Sequence, residues 1–226
     1  MSGQDPSFSD IQELPIFPLP NVVLFPRTVL PLHIFEPRYK QMVADALAGN
    51  RQIGMVLLQP GWENTQNESP EIFNTGGMGL ITQYKDLEEG KYNILLSGRH
   101  RYTIKEFVQE TPYRVARVRL LQEVMPERQE MNEISTELIL GFRELIEATT
   151  QPGLEPDLIE KLDFPTLVNS VCSSLNLSVY DQQQLLEMNS VKVRATTVLD
   201  ILQRQIVRKR MVSKFRHLQP EDSNVN

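Results

Sequence analysis

Few residues in this chain are of the types that do chemistry, and their spacing does not assemble them. The three histidines, His33, His100 and His217, stand far apart and lack the short-range spacing with which side chains clasp a metal. His33 lies in an apolar run and reads as a hydrogen-bonded core or edge residue. The single cysteine, Cys172, falls on the apolar stripe of a helix. No cation beside it in sequence would depress its pKa, so it reads as a small buried hydrophobe rather than a nucleophile. Gly76-Gly77-Met78-Gly79 could suggest a phosphate cradle, but neither a helix start nor a Lys-Ser/Thr pair follows. A strand entry where the backbone needs room fits better. Glu88 and Glu89 form a solvated acidic turn. The sequence therefore predicts no catalytic centre, no cofactor and no metal site.

What remains points to binding. Trp62 and Phe73 are the only aromatic residues in a polar stretch, WENTQNESPEIFNT, that reads as a long surface loop. They either tuck back onto the sheet or offer an apolar contact to a ligand. With Phe35, at the end of an apolar run, they are the candidate substrate-binding residues. A second feature is the basic run Arg204, Arg208, Lys209, Arg210, Lys214 and Arg216. Cations near a helix C-terminus suit the macrodipole; the same charges could track phosphates. Aromatic residues other than Phe215 are missing from that run, which removes base stacking as support.

The totals set the frame. A chain of 226 residues with 40% hydrophobic residues can bury a proper core in one large or two smaller domains. A net charge of -6 argues against wholesale coating of nucleic acid. One cysteine excludes an internal disulfide and suits a reducing compartment. The polar start, MSGQDPSFSD, has neither the basic leader nor the apolar segment of a signal peptide, and no run approaches a membrane span. A cytoplasmic protein is expected.

The elements that must position the candidates begin with Leu14 to Gly49. Pro15, Pro18, Pro20, Pro26 and Pro31 punctuate an apolar extended segment and predict edge strands broken by rigid turns. Val22 to Phe25 and Val29 to Phe35 read as short strands. From Pro37 the period changes to that of a helix, with Tyr39, Met42, Val43, Ala46 and Leu47 on one face and Gly49 as its stop. Strands follow at 53–58, 80–84, 92–96, 100–108 and 113–121, with a break at Ser97-Gly98. From Met125-Pro126 onward the period is helical, with inward stripes on Met131, Ile134, Leu138, Phe142 and Leu145, on Leu167, Val168, Val171, Cys172 and Leu175, and on Val191, Ala195, Val198, Leu199, Leu202 and Ile206. A short helix is expected over 156–162. Ser178-Val-Tyr-Asp181 is a capping-box-like start. The expected layout is a β-rich domain over 11–122, a helical bundle over 126–217, and tails at 1–10 and 218–226.

LPIFPLPNVVLFPRTVLPLHIFEPRYKQMV resembles the opening of the Lon protease N-terminal, or LON substrate-binding, domain. GLITQYKDLEEGKYNILLSGRHRYTIKEFVQETPYRVARVRLL follows the same family in register, and YDQQQLLEMNSVKVRATTVLDILQRQI is similar to the end of its helical part. The resemblance implies an α+β fold: a PUA-like twisted β-barrel domain with one packed helix, then a C-terminal α-helical bundle. It implies a non-catalytic module that engages unfolded or apolar polypeptide segments, by strand addition or groove docking. A free-standing domain is expected, because no G-x-x-x-x-G-K-S/T loop is present and no room remains for a protease module. Two alternatives stay open: an RNA-associated protein using the basic helix, and an adaptor of a Lon-type protease.

Overall fold

Helix α1 (Pro37–Ala48) shows how closely pattern becomes packing. Pro37 opens it, the amide of Gly49 closes it on the Asp45 and Ala46 carbonyls, and Tyr39, Met42, Val43 and Ala46 are its buried face. The computed structural model describes residues 11–64, 70–147 and 159–216. The expected tails, the helix–helix break at 149–156, residues 156–158 of the expected short helix at 156–162, and His217 lie outside these. The described strands are β1 (Ile11–Leu19), β2 (Val29–Ile34), β3 (Gln52–Leu57), β4 (Thr75–Asp86), β5 (Tyr92–Gln109) and β6 (Arg114–Leu121). The further helices are α2 (Arg128–Glu147), α3 (Phe164–Ser174), α4 (Val179–Glu187) and α5 (Val191–Arg216).

The chain falls into two units: residues up to Val124 with Asn176–Asn189, and Met125–Leu175 with the residues from Ser190 onward. In the first, six strands form one mixed sheet in the order β2-β5-β4-β3-β1-β6, and the long β5 also pairs with β6. The sheet thus coils back on itself through β5, while β2 remains an edge strand. It is an α+β fold built on a coiled mixed sheet rather than a simple closed barrel.

Three strand expectations are corrected. β1 lies inside the sheet order, paired with both β3 and β6, not at an edge. Its prolines are tolerated because Ile11–Ile16 pairs with β6 and Ile16–Leu19 with β3, so only Ile16 is flanked on both sides. Pro15 and Pro18 therefore each need pair on one side only, where a missing N–H is affordable. Val22 to Phe25 is not a strand. It is a buried crossing segment, with Leu24 and Phe25 almost fully enclosed. The break expected at Ser97-Gly98 is absent, and β5 runs through it with register shifts against β4. The last two observations share one cause. A Cβ at Gly98 would strike the Phe25 carbonyl, and one at Gly77 the Leu24 carbonyl. The glycines admit the crossing backbone, which is what this residue is for in a strand interior.

Two cores result. One joins α1 to the sheet through Phe17, Ile34, Tyr39, Met42, Ile53, Met55, Ile94 and Leu96. The other encloses Leu14, Ile16, Val56, Met78, Tyr102 and Val118, with Trp62 and Phe73 packed against it half-buried. Tyr102 is wholly buried and its hydroxyl donates to the Met55 carbonyl at 3.1 Å.

Helix α4 belongs with this sheet rather than with the other helices, where its periodicity alone would group it. Its start is the expected cap: Asp181 N donates to Ser178 Oγ at 3.1 Å. The Gln183 side-chain amide donates to the Thr75 carbonyl at 2.9 Å, and the buried Arg101 guanidinium to the Leu186 carbonyl at 2.9 Å. Such sheet-to-helix bonds involve single polar residues, which leave no periodic trace. In the second unit α2, α3 and α5 pack on the stripes expected of them, with Leu138, Val168, Cys172, Val198 and Leu202 fully buried, while Met131 and Ile134 at the start of the α2 stripe are only half-buried. Asp163 caps α3 by accepting from Thr166 N at 3.1 Å.

Candidate functional site

The first unit carries a groove of about 930 Å³. One wall is the end of β1, with Ile16, Pro18, Leu19 and Pro20; another is the start of α1, with Glu36, Arg38 and Tyr39. Leu58, Trp62, Glu63 and Pro70 come from the segment after β3, and Glu110 to Arg114 from the turn into β6. These positions follow from the local folding. After β3, Trp62 sits in a single 3-10 turn. The chain then returns along β3, where Gln59 N donates to the Glu71 carbonyl and Phe73 N to the Leu57 carbonyl, each at 2.9 Å. Trp62 lines the groove and packs, half-buried, against the second core.

The groove is lined by Tyr39, Trp62 and Tyr113 and by four prolines, together with the charged Glu36, Arg38, Glu63, Glu110 and Arg114. Tyr39 packs on Phe17 with centroids 4.3 Å apart, and the Arg38 guanidinium lies 4.5 Å above the Tyr39 ring. Burial holds the Tyr39 phenol above its ordinary pKa, against the nearby Arg38 charge. Arg38 is also paired with Glu36 at 3.0 Å, and Arg114 with Glu110 at 3.8 Å. Arg114 further donates to the Pro70 carbonyl at 3.0 Å, pinning the loop to the start of β6. The Tyr113 phenol donates to Asp45 Oδ2 at 2.7 Å. Prolines Pro18, Pro20, Pro70 and Pro112 have no amide hydrogen to offer, so these lining positions cannot donate to a backbone ladder.

The three candidate contact residues are not brought together. Trp62 lines the groove. Phe35 does not; it is 59% exposed beyond β2, stacked with His33 at 6.1 Å between centroids. Phe73 is tucked against the second core and faces Tyr180, with centroids 6.4 Å apart. His33 is exposed on the edge strand and shares a 2.7 Å hydrogen bond with Asn93 Oδ1. Sequence reading does not single out Tyr39 or Tyr113, assigning the first to a buried helix face and the second to the start of a strand. The available signal was the proline density on each side of the aromatics, in Pro18-Leu19-Pro20 and Pro112-Tyr113.

Among the described residues no group of three or more His, Cys, Asp or Glu side chains could hold a metal ion. No described helix is long and apolar enough to cross a membrane. Burial pushes the Cys172 thiol up to about 12, only partly offset by the charge of Arg194.

The whole frame, from β1 to α5, has counterparts. A family model described as the ATP-dependent protease La (LON) substrate-binding domain matches residues 13–204. The chain belongs to this family. Among similar proteins are the Lon protease of Flavobacterium johnsoniae, 33% identical over 193 residues, and that of Cytophaga hutchinsonii, 31% identical over 205. Those alignments take in 82% and 85% of this chain but only 23% and 24% of the relatives, so the LON domain spans about a quarter of their length. Among solved structures, a Lon N-terminal domain protein from Xanthomonas campestris aligns over 84% of this chain and 98% of its own, with a TM-score of 0.60 at 22% identity. The N-terminal domain of a Mycobacterium avium complex Lon protease aligns over 85% and 98%, with a TM-score of 0.63 at 17% identity. At those identities the likeness speaks for the fold.

Proposed function

We propose that this LON domain is a non-catalytic polypeptide-binding module that takes short apolar stretches of unfolded chain into the groove at Trp62, Tyr39 and Tyr113. The observation that carries the reading is the groove itself: a concave surface lined by four prolines and by Tyr39, Trp62 and Tyr113, in a member of a substrate-binding family. Rigid rings present large apolar area at little entropic cost, and extended segments dock on such surfaces by side-chain contact.

Docking is favoured over strand addition by the edge strand. Gly98 N donates to the Thr28 carbonyl at 2.8 Å. By antiparallel alternation Leu30, Leu32 and Ile34 then bond to β5, leaving Val29, Pro31 and His33 to face outward. Pro31 stands in the middle of that edge without a donor. The basic helix gives RNA little support, since Arg210 is already paired with Glu144 at 2.5 Å and Arg204 and Arg208 share their surface with Asp200.

The test is fluorescence anisotropy of a labelled, permanently unfolded polypeptide titrated with the protein at low and moderate salt, with RNA as competitor. Binding that resists salt and RNA, and weakens about tenfold in Trp62→Ala, supports the groove. Unchanged affinity in that variant removes the groove from the interaction. Salt-sensitive RNA binding with no polypeptide binding overturns the reading.

A further inference from the structure

Helix α5 has two faces, and only one is used within its own unit. Val191, Ala195, Val198, Leu202 and Ile206 are buried. On the side away from them, Val193, Thr197, Asp200, Arg204, Val207 and Met211 recur at alternating steps of four and three residues. That spacing makes one straight seam along a helix, the spacing of helices that pair. Thr197 is half-buried and the rest are exposed. Val193, Val207 and Met211 are about half accessible, at 50%, 49% and 57%, and fall on one line of the helix. A shallow depression of about 660 Å³ runs along the C-terminal half of the seam, between Asp200 and Met211.

The charges on the seam say what fits it. Arg204 Nε bonds to the Asp200 backbone carbonyl at 3.2 Å, so the two charged residues sit together in the middle. A second copy laid parallel and in register would set Asp200 against Asp200 and Arg204 against Arg204. Laid antiparallel about an axis level with Leu202, it sets Asp200 opposite Arg204 twice. The same register brings Val193 opposite Met211 and Thr197 opposite Val207, again twice each. Apolar pairs then close both ends of the seam around a charge-matched centre. A central polar pair of this kind fixes orientation and register more than it adds affinity.

We propose that the partner of this face is a second copy of the chain, in an antiparallel, two-fold symmetric pairing of α5 with α5 held in register by reciprocal Asp200–Arg204 pairs. The seam is one helix wide, below the area of a standard stable interface, so the dimer is concentration-dependent. It is independent of the groove and would stand if no polypeptide bound there.

Sedimentation velocity of the full chain across the micromolar range tests it. The wild-type chain passes from monomer to dimer. Arg204→Asp and Asp200→Arg, both at exposed sites, each collect like charges at the axis and weaken association about tenfold or more. An equimolar mixture of the two variants regains the dimer, because each then supplies the charge the other lacks. A wild-type chain that stays monomeric throughout overturns the pairing and leaves the seam to a helix of another protein. A dimer unmoved by the single reversals, or a mixture that fails to recover, overturns the register.

Discussion

The phenol of Tyr113, in the turn before β6, donates to the carboxylate of Asp45 on α1 at 2.7 Å, and thereby ties two walls of the groove together. Desolvation, then the hydrogen bond to Asp45 and its negative charge, push the Tyr113 phenol up to about 12. The folded value is above the unfolded one near 10. The stabilisation is therefore fully present below about 10 and is lost as pH rises through about 12. At neutral pH the bond is intact. In Asp45→Asn both contributions from the carboxylate weaken, and the Tyr113 midpoint falls toward 10. NMR of labelled Tyr Cζ across an alkaline titration reads this directly, and an unmoved midpoint in the variant would show that burial alone sets it.

Arg101 makes a second prediction. It is buried at 1% exposure, and beyond its bond to the Leu186 carbonyl it donates to the Gln122 carbonyl at 3.4 Å and lies 3.7 Å from Glu123. Truncating one partner of a buried charged network typically costs about 3–5 kcal/mol. Arg101→Met should lower the unfolding free energy by about that amount, seen as a lower urea midpoint. Amide exchange should quicken first in α4, whose attachment to the sheet it removes. Global destabilisation with uniform exchange would mean that α4 is held by its apolar contacts instead.

How much of this was legible follows the length scale of the signal. The stripes of α1, α3 and α5 were readable because periodicity reports which face is buried without saying against what. The proline-studded β1 misled because pairing was judged residue by residue. What rescues it is a handover from β6 to β3 at Ile16, a tertiary fact. Of the groove, only Trp62 stood out, because an aromatic in a polar loop is locally anomalous. Tyr39 and Tyr113 lie far apart in sequence and meet only through the fold. α4 was assigned to the helices because its helical period says nothing about Gln183 or Arg101.

Gly77 illustrates a signal that was present but under-determined. It marked a need for space, and the structure supplies the occupant, the carbonyl of Leu24, well inside contact distance of any Cβ placed there. The obstacle is backbone, which cannot rotate away as a side-chain tip could. Gly77→Ala should cost about 1–3 kcal/mol, the range for overpacking, as a lower urea midpoint with little change in m-value. A neutral substitution would show that the crossing segment Val22–Phe25 can shift without penalty.

Pro31 makes the last prediction, and it bears on how an open sheet edge avoids pairing with a second copy of itself. On the outer edge of β2 the alternation leaves Val29 and His33 with amides directed away from β5, and Pro31 between them with none. A proline there interrupts the row of donors that a foreign strand would need. Replacing it with a residue that suits a strand restores the row while leaving every ladder bond to β5 in place. Pro31→Val should therefore keep the fold, as seen by circular dichroism, and gain a tendency to associate on mild heating, seen as light scattering that grows with protein concentration. Scattering equal to that of the wild-type chain would mean the edge is guarded by something other than the missing amide.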